Sequence, residues 1–221
     1  SLGIEFKDNI KLVNATNPNI ETIRNSIVPT QLCQVKYNTS YAPDFGVFEI
    51  GRVAKGLKSD GLVDEHKMLA ITLFSKTKSV EKLYFELRDM LATFTDNIKH
   101  KSLDYAPTTK AHSYEHPRNL NKIICDGREL GTIGIVHPVV SKKLDKKASI
   151  VFAEIDIHEF AQIANDSITY EEPSKYPAME IDLSFVTDKF APIKAAIEDA
   201  KSNLVKKIEV VDTYFDGDAK S

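Results

Sequence analysis

Two neighbouring stretches predict an antiparallel β-hairpin, and this hairpin constrains the fold more than any other feature of the sequence. Residues 67–74 (KMLAITLF) are almost continuously apolar, which is typical of a buried strand. Residues 45–53 (FGVFEIGRV) alternate bulky with small or polar residues, as a strand with one covered face does. The polar residues between them include Gly56 and Asp60-Gly61, which favour a turn. We therefore expect a core built on an antiparallel sheet.

Helices and further strands follow this hairpin, and together they predict an α+β domain. Ser79 precedes apolar residues at helical spacing over 80–94 and can cap their first turn. Residues 121–125 and 129–136 flank Asp126-Gly127, a pair that favours a tight hairpin turn. Four further elements are a strand over 11–15, a helix capped by Asn25 or Ser26 and ending near Tyr37, a short helix over 138–144, and a strand over 149–157.

The polar segment 165–175 (NDSITYEEPSK) predicts a boundary between two domains, residues 1–165 and 174–221. The second stretch reads as a strand over 180–186, a helix over 191–204 and a strand over 207–214. Three elements are too few to bury an independent core. We therefore expect the first half of a small split βαβ domain, truncated here, with the natural chain continuing past Ser221.

Composition narrows the classes of protein without selecting one. The net charge of -3 excludes a histone-like nucleic-acid binder, and only five of the 29 basic residues are Arg. The two cysteines, Cys33 and Cys125, imply no disulfide framework, which favours a reducing cytoplasm. We expect both to be small residues of the core. No apolar run reaches the roughly 18 residues of a membrane-spanning helix, so we expect no contact with a membrane.

Six stretches resemble one family in order and spacing: the β subunit of bacterial phenylalanyl-tRNA synthetase. They are IRNSIVPTQL (23–32), FGVFEIGRV (45–53), DGRELGTIGIVHP (126–138), IVFAEIDI (150–157), YPAMEIDLSFV (176–186) and VVDTYFDG (210–217). The resemblance implies that residues 1–165 form a non-catalytic module built on the antiparallel sheet of class II synthetases. It implies that residues 174–221 begin a ferredoxin-fold anticodon-binding domain.

The resemblance also implies partners and chemistry. In the family, phenylalanine, ATP and the tRNA terminus bind to a catalytic α subunit of an α2β2 heterotetramer. We therefore expect a scaffold for that subunit in tRNA(Phe) aminoacylation, with no catalytic residue, bound cofactor or metal ligand of its own. ATP and Mg²⁺ would belong to the assembled ligase, in the cytoplasm.

A few residues are candidates for contacts with tRNA or for remnants of a catalytic site. Lys142 and Lys143 form a basic cluster at the end of a short helix, although surface Lys pairs are common there. Tyr176 and Tyr214 can stack on bases or simply pack at strand ends. Arg52 is either a degenerate form of the class II motif 2 Arg, which holds the adenylate, or an exposed strand residue.

The histidines favour structural roles. His112 and His116 have the spacing of a zinc pair, but Pro117 disfavours the necessary helix, so we expect a solvated loop. His137 before Pro138 is expected to cap or pack.

The sequence departs from the family at several positions. Arg118 follows His116-Pro117 where the family usually has Gly, and Ile181 and Phe215 replace Arg in the domain expected to meet RNA. The segment 174–221 has seven Lys against nine Asp or Glu. These losses leave open a protein-interaction scaffold that binds no tRNA. A stand-alone amino-acid-activating enzyme is a weaker alternative, because only Arg52 is available for its two required Arg.

Overall fold

A computed structural model describes residues 2–4, 9–15 and 21–167, together with 176–177, 179–184, 186, 197, 199, 204–205, 208 and 212. The chain divides into two compact units, residues 1–170 and 171–221. Among the residues just given, regular secondary structure is concentrated in the first unit. Its elements are β1 (Ile10–Lys11), β2 (Thr22–Ile23), α1 (Val28–Asn38), β3 (Asp44–Leu57), β4 (Val63–Ser75), α2 (Val80–Lys99), β5 (Asp104–Pro107), β6 (Glu115–Cys125), β7 (Arg128–Val136), α3 (Pro138–Leu144), β8 (Ser149–Asp156) and α4 (Ile157–Gln162).

The centre of the first unit is a six-stranded sheet in the order β3-β4-β8-β7-β6-β5, with every neighbouring pair antiparallel. The two predicted hairpins are confirmed as β3–β4 and β6–β7. The first hairpin is longer than expected, because pairing continues to Leu57 and Val63 and leaves only a short turn. The predicted α+β class and antiparallel sheet are therefore correct.

Alternation along the strands gives the sheet two apolar faces. One, here the α1 face, packs against α1 and is built from Val53, Met68, Ala70, Phe74, Leu120, Val136, Ile150 and Phe152. The other, here the α2 face, packs against α2 and α4 and is built from Leu73, Ile123, Ile133, Val151, Ala153 and Ile155. The second half of β4 and most of β8 are covered on both faces, which agrees with their nearly continuous apolar sequences.

Helix α2 begins as the sequence predicts. The Ser79 hydroxyl accepts a hydrogen bond from the Lys82 backbone N–H at 3.2 Å. Leu83, Leu87 and Leu91 lie one turn apart and are buried against the sheet. The helix ends at His100, whose left-handed conformation (φ 55°) closes the last turn onto the Asp96 carbonyl.

Helix α1 begins differently from the prediction. Neither Asn25 nor Ser26 is the N-cap residue, and the Ile27 residue in that position makes no side-chain cap. The Ile27 backbone N–H instead donates to the buried Glu154 carboxylate of β8 at 2.7 Å. The Ser26 hydroxyl accepts from the Val28 N–H at 3.2 Å, so the start of α1 is satisfied both by the predicted Ser26 and by Glu154, 127 positions along the chain from Ile27.

Three further local expectations were wrong. Residues 112–117 are not a solvated loop, because Tyr114 and Glu115 are buried and β6 begins at Glu115. Cys33 is exposed on α1, whereas Cys125 is buried as expected. The first strand is Ile10–Lys11 and not 11–15, since residues 13 and 14 form a turn.

In the second unit, the described residues 180–184 and 186 are not in a strand, while Ile197 and Asp199 are helical. Most of the helix 191–204 and the strand 207–214 lies outside the described residues, so the partial ferredoxin-like unit stays a prediction.

Candidate functional site

Two His-Pro pairs lie on neighbouring strands of the sheet and make the same local contact. His116-Pro117 is in β6, and His137-Pro138 joins β7 to α3. The His116 Nδ1 accepts hydrogen bonds from the backbone N–H groups of Arg118 and Asn119, both at 3.1 Å. The His137 Nδ1 accepts from the Val139 N–H at 3.2 Å and caps α3. The capping role expected for His137 is confirmed.

These contacts fix the tautomer of both imidazoles. A ring nitrogen that accepts from a backbone N–H carries no proton, so the neutral ring holds its proton on the other nitrogen. Both rings are half-buried, and each therefore presents an Nε2–H donor that its own turn does not use. Each Nδ1 is thus engaged within the fold, and each Nε2 is left to meet an acceptor from outside it.

The two histidines are close to each other across the β6–β7 pair. The His137 backbone N–H donates to the Tyr114 carbonyl at 2.6 Å, which places His137 opposite Tyr114, two residues before His116. The β6–β7 pairing is irregular between Glu115 and Leu120, so the strand bulges where His116 lies. Burial lowers the pKa of the His137 imidazole, and the nearby charges of Lys110 and His116 lower it further. These three basic groups therefore share one electrostatic environment.

Helix α3 extends this environment with lysines. Its last turn carries Lys142 and Lys143, both exposed, and α3 is only about 10 Å long. Among the residues that the structure describes, no carboxylate forms an ion pair with Lys142, Lys143 or Lys110. We name Lys110, His116, His137, Lys142 and Lys143 the His-Pro surface.

Two carboxylates close to the His-Pro surface already have partners. Glu115 precedes His116, but its buried side chain accepts from the backbone N–H groups of Ala111 and His112 at 2.6 and 2.8 Å. Asp145 follows α3 and pairs with Lys76 at 3.3 Å. Asp145 is therefore balanced by Lys76, and the charges that act on the His137 imidazole are those of Lys110 and His116.

Arg52 lies away from this surface, near the far end of the edge strand β3. Its guanidinium is 75% exposed and pairs with Glu65 of β4 at 2.8 Å. A different arginine, Arg24, pairs with Glu49 at 2.6 Å, and its Nε–H donates to the Arg52 carbonyl at 3.1 Å. Both guanidinium groups are therefore engaged by carboxylates of the chain itself.

The α1 face of the sheet is filled by the protein's own side chains. Tyr114 packs edge-to-face on Phe152, with ring centroids 5.3 Å apart, and its hydroxyl shares a 2.9 Å hydrogen bond with Ser26. Both aromatic side chains are almost fully buried. Two grooves of about 550 and 620 Å³ lie instead along α2, lined by residues such as Met90 and Tyr105.

The remaining predicted site residues, Tyr176 and Tyr214, belong to the second unit. Tyr176 is an exposed residue of the second unit, and Tyr214 lies outside the described residues. Within the described ranges, no group of three or more His, Cys, Asp or Glu is arranged to hold a metal ion. None of the helices described there is both long enough and apolar enough to cross a membrane.

The sequence predicts Lys142 and Lys143 as site residues but does not identify His116 or Lys110 as such. It predicts a loop around His116, and it gives no pattern that marks Lys110. The repeated His-Pro dipeptide was the available signal, because each histidine precedes a residue that cannot donate a backbone N–H. Its significance depends on β6 pairing with β7, which brings the two dipeptides together.

Comparison with known proteins identifies the fold and family. The family described as the phenylalanyl tRNA synthetase beta chain CLM domain matches residues 4–157, a span that contains β3 to β8 and both His-Pro pairs. The chain belongs to this family. Its similarity to a bacterial synthetase β subunit, expected from the six sequence stretches, is therefore confirmed.

Curated relatives of this CLM-family chain are all much longer than it is. The phenylalanine–tRNA ligase beta subunit of Protochlamydia amoebophila is 27% identical over 215 residues, covering 93% of this chain and 26% of that subunit. The Bacillus subtilis subunit is 26% identical over 228 residues, covering 97% and 28%. The Bacillus licheniformis subunit is 29% identical over 208 residues, covering 87% and 25%. The chain thus spans about a quarter of the length of these relatives.

A solved structure supports the fold independently of close sequence similarity. Pyrrolysyl-tRNA synthetase PylSc of Desulfitobacterium hafniense aligns with a TM-score of 0.54 at 13% identity, covering 73% of this chain and 55% of that chain. At this identity the likeness concerns the fold alone. The antiparallel sheet of the CLM-family chain is therefore synthetase-like.

Proposed function

We propose that the chain is a non-catalytic module of the beta subunit of a phenylalanine–tRNA ligase, where it scaffolds a catalytic alpha subunit and contributes to binding tRNA(Phe). The observation that carries the proposal is the family match over residues 4–157 together with the filled α1 face of the sheet. Tyr114, Phe152 and the start of α1 occupy the volume above the sheet that a small substrate would need.

The residues present do not fit ATP or Mg²⁺. An adenylate needs a fixed, unpaired cation, but Arg24 is held by Glu49 and Arg52 by Glu65. The described residues also lack a cluster of three candidate metal ligands. In this proposal, ATP, Mg²⁺ and phenylalanine bind to the alpha subunit, in an α2β2 assembly, and this module performs no chemical step.

The test is reconstitution with a phenylalanine–tRNA ligase alpha subunit. We expect the beta subunit that contains this module to co-purify with the alpha subunit and to support aminoacylation of tRNA(Phe). The 221-residue chain alone should show no phenylalanine-dependent pyrophosphate exchange. Robust exchange by the chain alone would contradict the proposal, as would an alpha subunit that is fully active and assembled without it.

A second candidate function is a protein-interaction scaffold without tRNA binding, and the composition of the second unit favours it. That segment is acidic overall, and Ile181, which is 72% exposed, stands where the family often has Arg. Phosphate contacts dominate RNA affinity, so restored cations should strengthen tRNA binding if this segment meets RNA. Filter binding of Ile181→Arg and Phe215→Arg tests this, and an unchanged affinity favours the scaffold.

A further inference from the structure

The geometry points to the His-Pro surface as a phosphate-binding site that holds the RNA backbone of tRNA, with the Nε2–H groups of His116 and His137 as paired donors. This inference rests on the proposed function for its choice of ligand. Lys110 is close enough to act on the His137 imidazole, and Lys142 and Lys143 lie in the last turn of the helix that His137 caps, with the Lys143 ammonium next to Gly3. Because phosphate contacts carry no sequence information, we expect the site to position tRNA without selecting its sequence.

The first step of the argument concerns preorganisation. Each imidazole is held through Nδ1 by the backbone N–H groups of its own turn, at 3.1 Å for His116 and 3.2 Å for His137. The rings therefore lose little conformational entropy when Nε2 meets an acceptor. Hydrogen bonds to a charged acceptor are stronger than those between neutral groups, so a phosphate oxygen is the favoured partner.

The second step concerns charge. The His137 imidazole is neutral near pH 7, because burial together with Lys110 and His116 lowers its pKa. An anion beside His137 meets the positive charge of Lys110, while Asp145 is balanced by Lys76 and the Glu115 carboxylate is directed to the backbone N–H groups of Ala111 and His112. A cationic ligand would meet repulsion from Lys110. The surface thus selects anions over cations.

The third step concerns the size of the ligand. Lys142 and Lys143 lie in the last turn of α3, one helix length from His137, which caps its first turn. Successive phosphates of one nucleic-acid strand are several ångströms apart, so a continuous backbone can reach both the histidines and the lysines. A free inorganic phosphate would reach only one of these groups. This extent favours RNA over a small anion.

The test separates the Nε2 donors from the structural Nδ1 contacts. Asn in place of His keeps a polar atom near the Nδ1 position, which preserves the turn, but removes the Nε2–H. We expect the double variant His116→Asn and His137→Asn to bind tRNA at least about fivefold more weakly, because two bonds to a charged group are lost. His158→Asn is the matched control, since His158 is exposed and lies outside the His-Pro surface.

The lysines give a different signature in the same assay. Each of Lys142→Gln and Lys143→Gln should reduce the slope of log affinity against log salt by about one. The reason is that each lysine that neutralises a phosphate releases one counterion, and Gln does not. The double Asn variant should change that slope less than the lysine variants do, because it removes hydrogen-bond donors and leaves every lysine in place. Lys82→Gln on α2 is the matched control for charge and should change neither quantity.

The assay uses the whole chain and a tRNA(Phe) transcript at several salt concentrations, with circular dichroism to verify folding of each variant. Unchanged tRNA affinity of the folded double variant would overturn the inference, and so would an unaltered chain that binds no tRNA. In either case the reconstitution with the alpha subunit still tests the proposed function separately.

Inorganic phosphate is a second probe, and its binding is monitored through the NMR signals of the two imidazoles. Shifts with phosphate but no binding of tRNA would overturn the assignment to RNA.

Discussion

The Glu154 carboxyl group is buried in the middle of the sheet and contacts the start of a helix far away in sequence. It is 6% exposed and accepts from the Ile27 N–H at 2.7 Å. Burial raises its pKa, with the Ile27 hydrogen bond opposing that rise. The native state therefore holds a proton more tightly than the unfolded chain, and the free energy of unfolding falls as pH rises through the raised pKa.

Replacing Glu154 by Gln is expected to keep the contact and remove the pH dependence. A Gln side chain carries no charge to desolvate, and its carbonyl oxygen can still accept from Ile27. We expect Glu154→Gln to be at least as stable as the unaltered chain at pH 7. Glu154→Ala should lose about 1–3 kcal/mol, because the buried Ile27 N–H has no partner. Urea denaturation of both variants measures the difference, and equal destabilisation by Gln and Ala would contradict this role.

His66 makes a pH-dependent contribution of the same sign, but through the attraction of a charged pair. Its Nδ1 hydrogen-bonds to Asp156, and its Nε2 lies 3.3 Å from Asp64. The bond to Asp156 is the main cause that raises the pKa of His66. A raised pKa means stabilisation that is complete below the ordinary value of about 6.5 and is lost as pH rises through the folded value.

We expect the unaltered chain to lose on the order of 1 kcal/mol of unfolding free energy between about pH 5.5 and pH 9 from this pair, because His66 is partly exposed. His66→Gln should remove that part of the slope, and His158→Gln should leave it unchanged. Denaturant titrations across the pH range measure both. A His66→Gln chain with the same pH profile as the unaltered chain would exclude the contribution.

At the level of elements, the close approach of β7 to β8 depends on Gly131. A Cβ atom built there would lie 2.0 Å from the Glu154 carbonyl oxygen, a backbone atom that cannot move aside without shifting β8. We expect Gly131→Ala to cost about 1–3 kcal/mol through overpacking between two central strands. Gly56→Ala is the control, since Gly56 has a similar φ (149° against 157°) but no atom within 4 Å. Thermal unfolding of the two variants separates steric contact from backbone strain.

Sequence periodicity predicted the elements that are stabilised locally. Helix α2 has its own cap in Ser79 and a regular apolar stripe, and the β6–β7 turn has Asp126 and Gly127 with positive φ (53° and 72°). At the start of α1, the local Ser26 contact is predictable from the sequence, whereas the Glu154 contact is not, because Glu154 is distant in sequence. The sequence identifies Lys142 and Lys143 as a basic cluster, because they are adjacent in the chain. It predicts a loop around His116, because the burial of the neighbouring residues depends on a strand distant in sequence. The His116 neighbours Tyr114 and Glu115 are buried only after β6 pairs with β7.

At the scale of the molecule, the core of the first unit ends later than the family match. The match stops at residue 157, but Phe160 and Ile163 are each 5% exposed and belong to the core of the α2 face. Phe160 stacks on Phe94 with centroids 5.2 Å apart, and the Lys99 ammonium donates to the Ile163 carbonyl at 2.7 Å. Helix α4 therefore closes the first unit physically, beyond the match.

Truncation at two positions tests where the folding unit ends. A chain that ends at residue 170 keeps every buried core residue described in the first unit. We expect its unfolding free energy to stay within about 1 kcal/mol of the full chain, a shift in Tm of roughly 2–4 °C at most. A chain that ends at residue 157 loses Phe160 and Ile163, and losses of this kind cost about 3–5 kcal/mol for a buried Phe alone. Thermal unfolding by circular dichroism compares the three chains. Equal stability of the two truncated chains would show that α4 is not part of the folding unit. Strong destabilisation of the chain that ends at residue 170 would show that the folding unit requires residues 171–221.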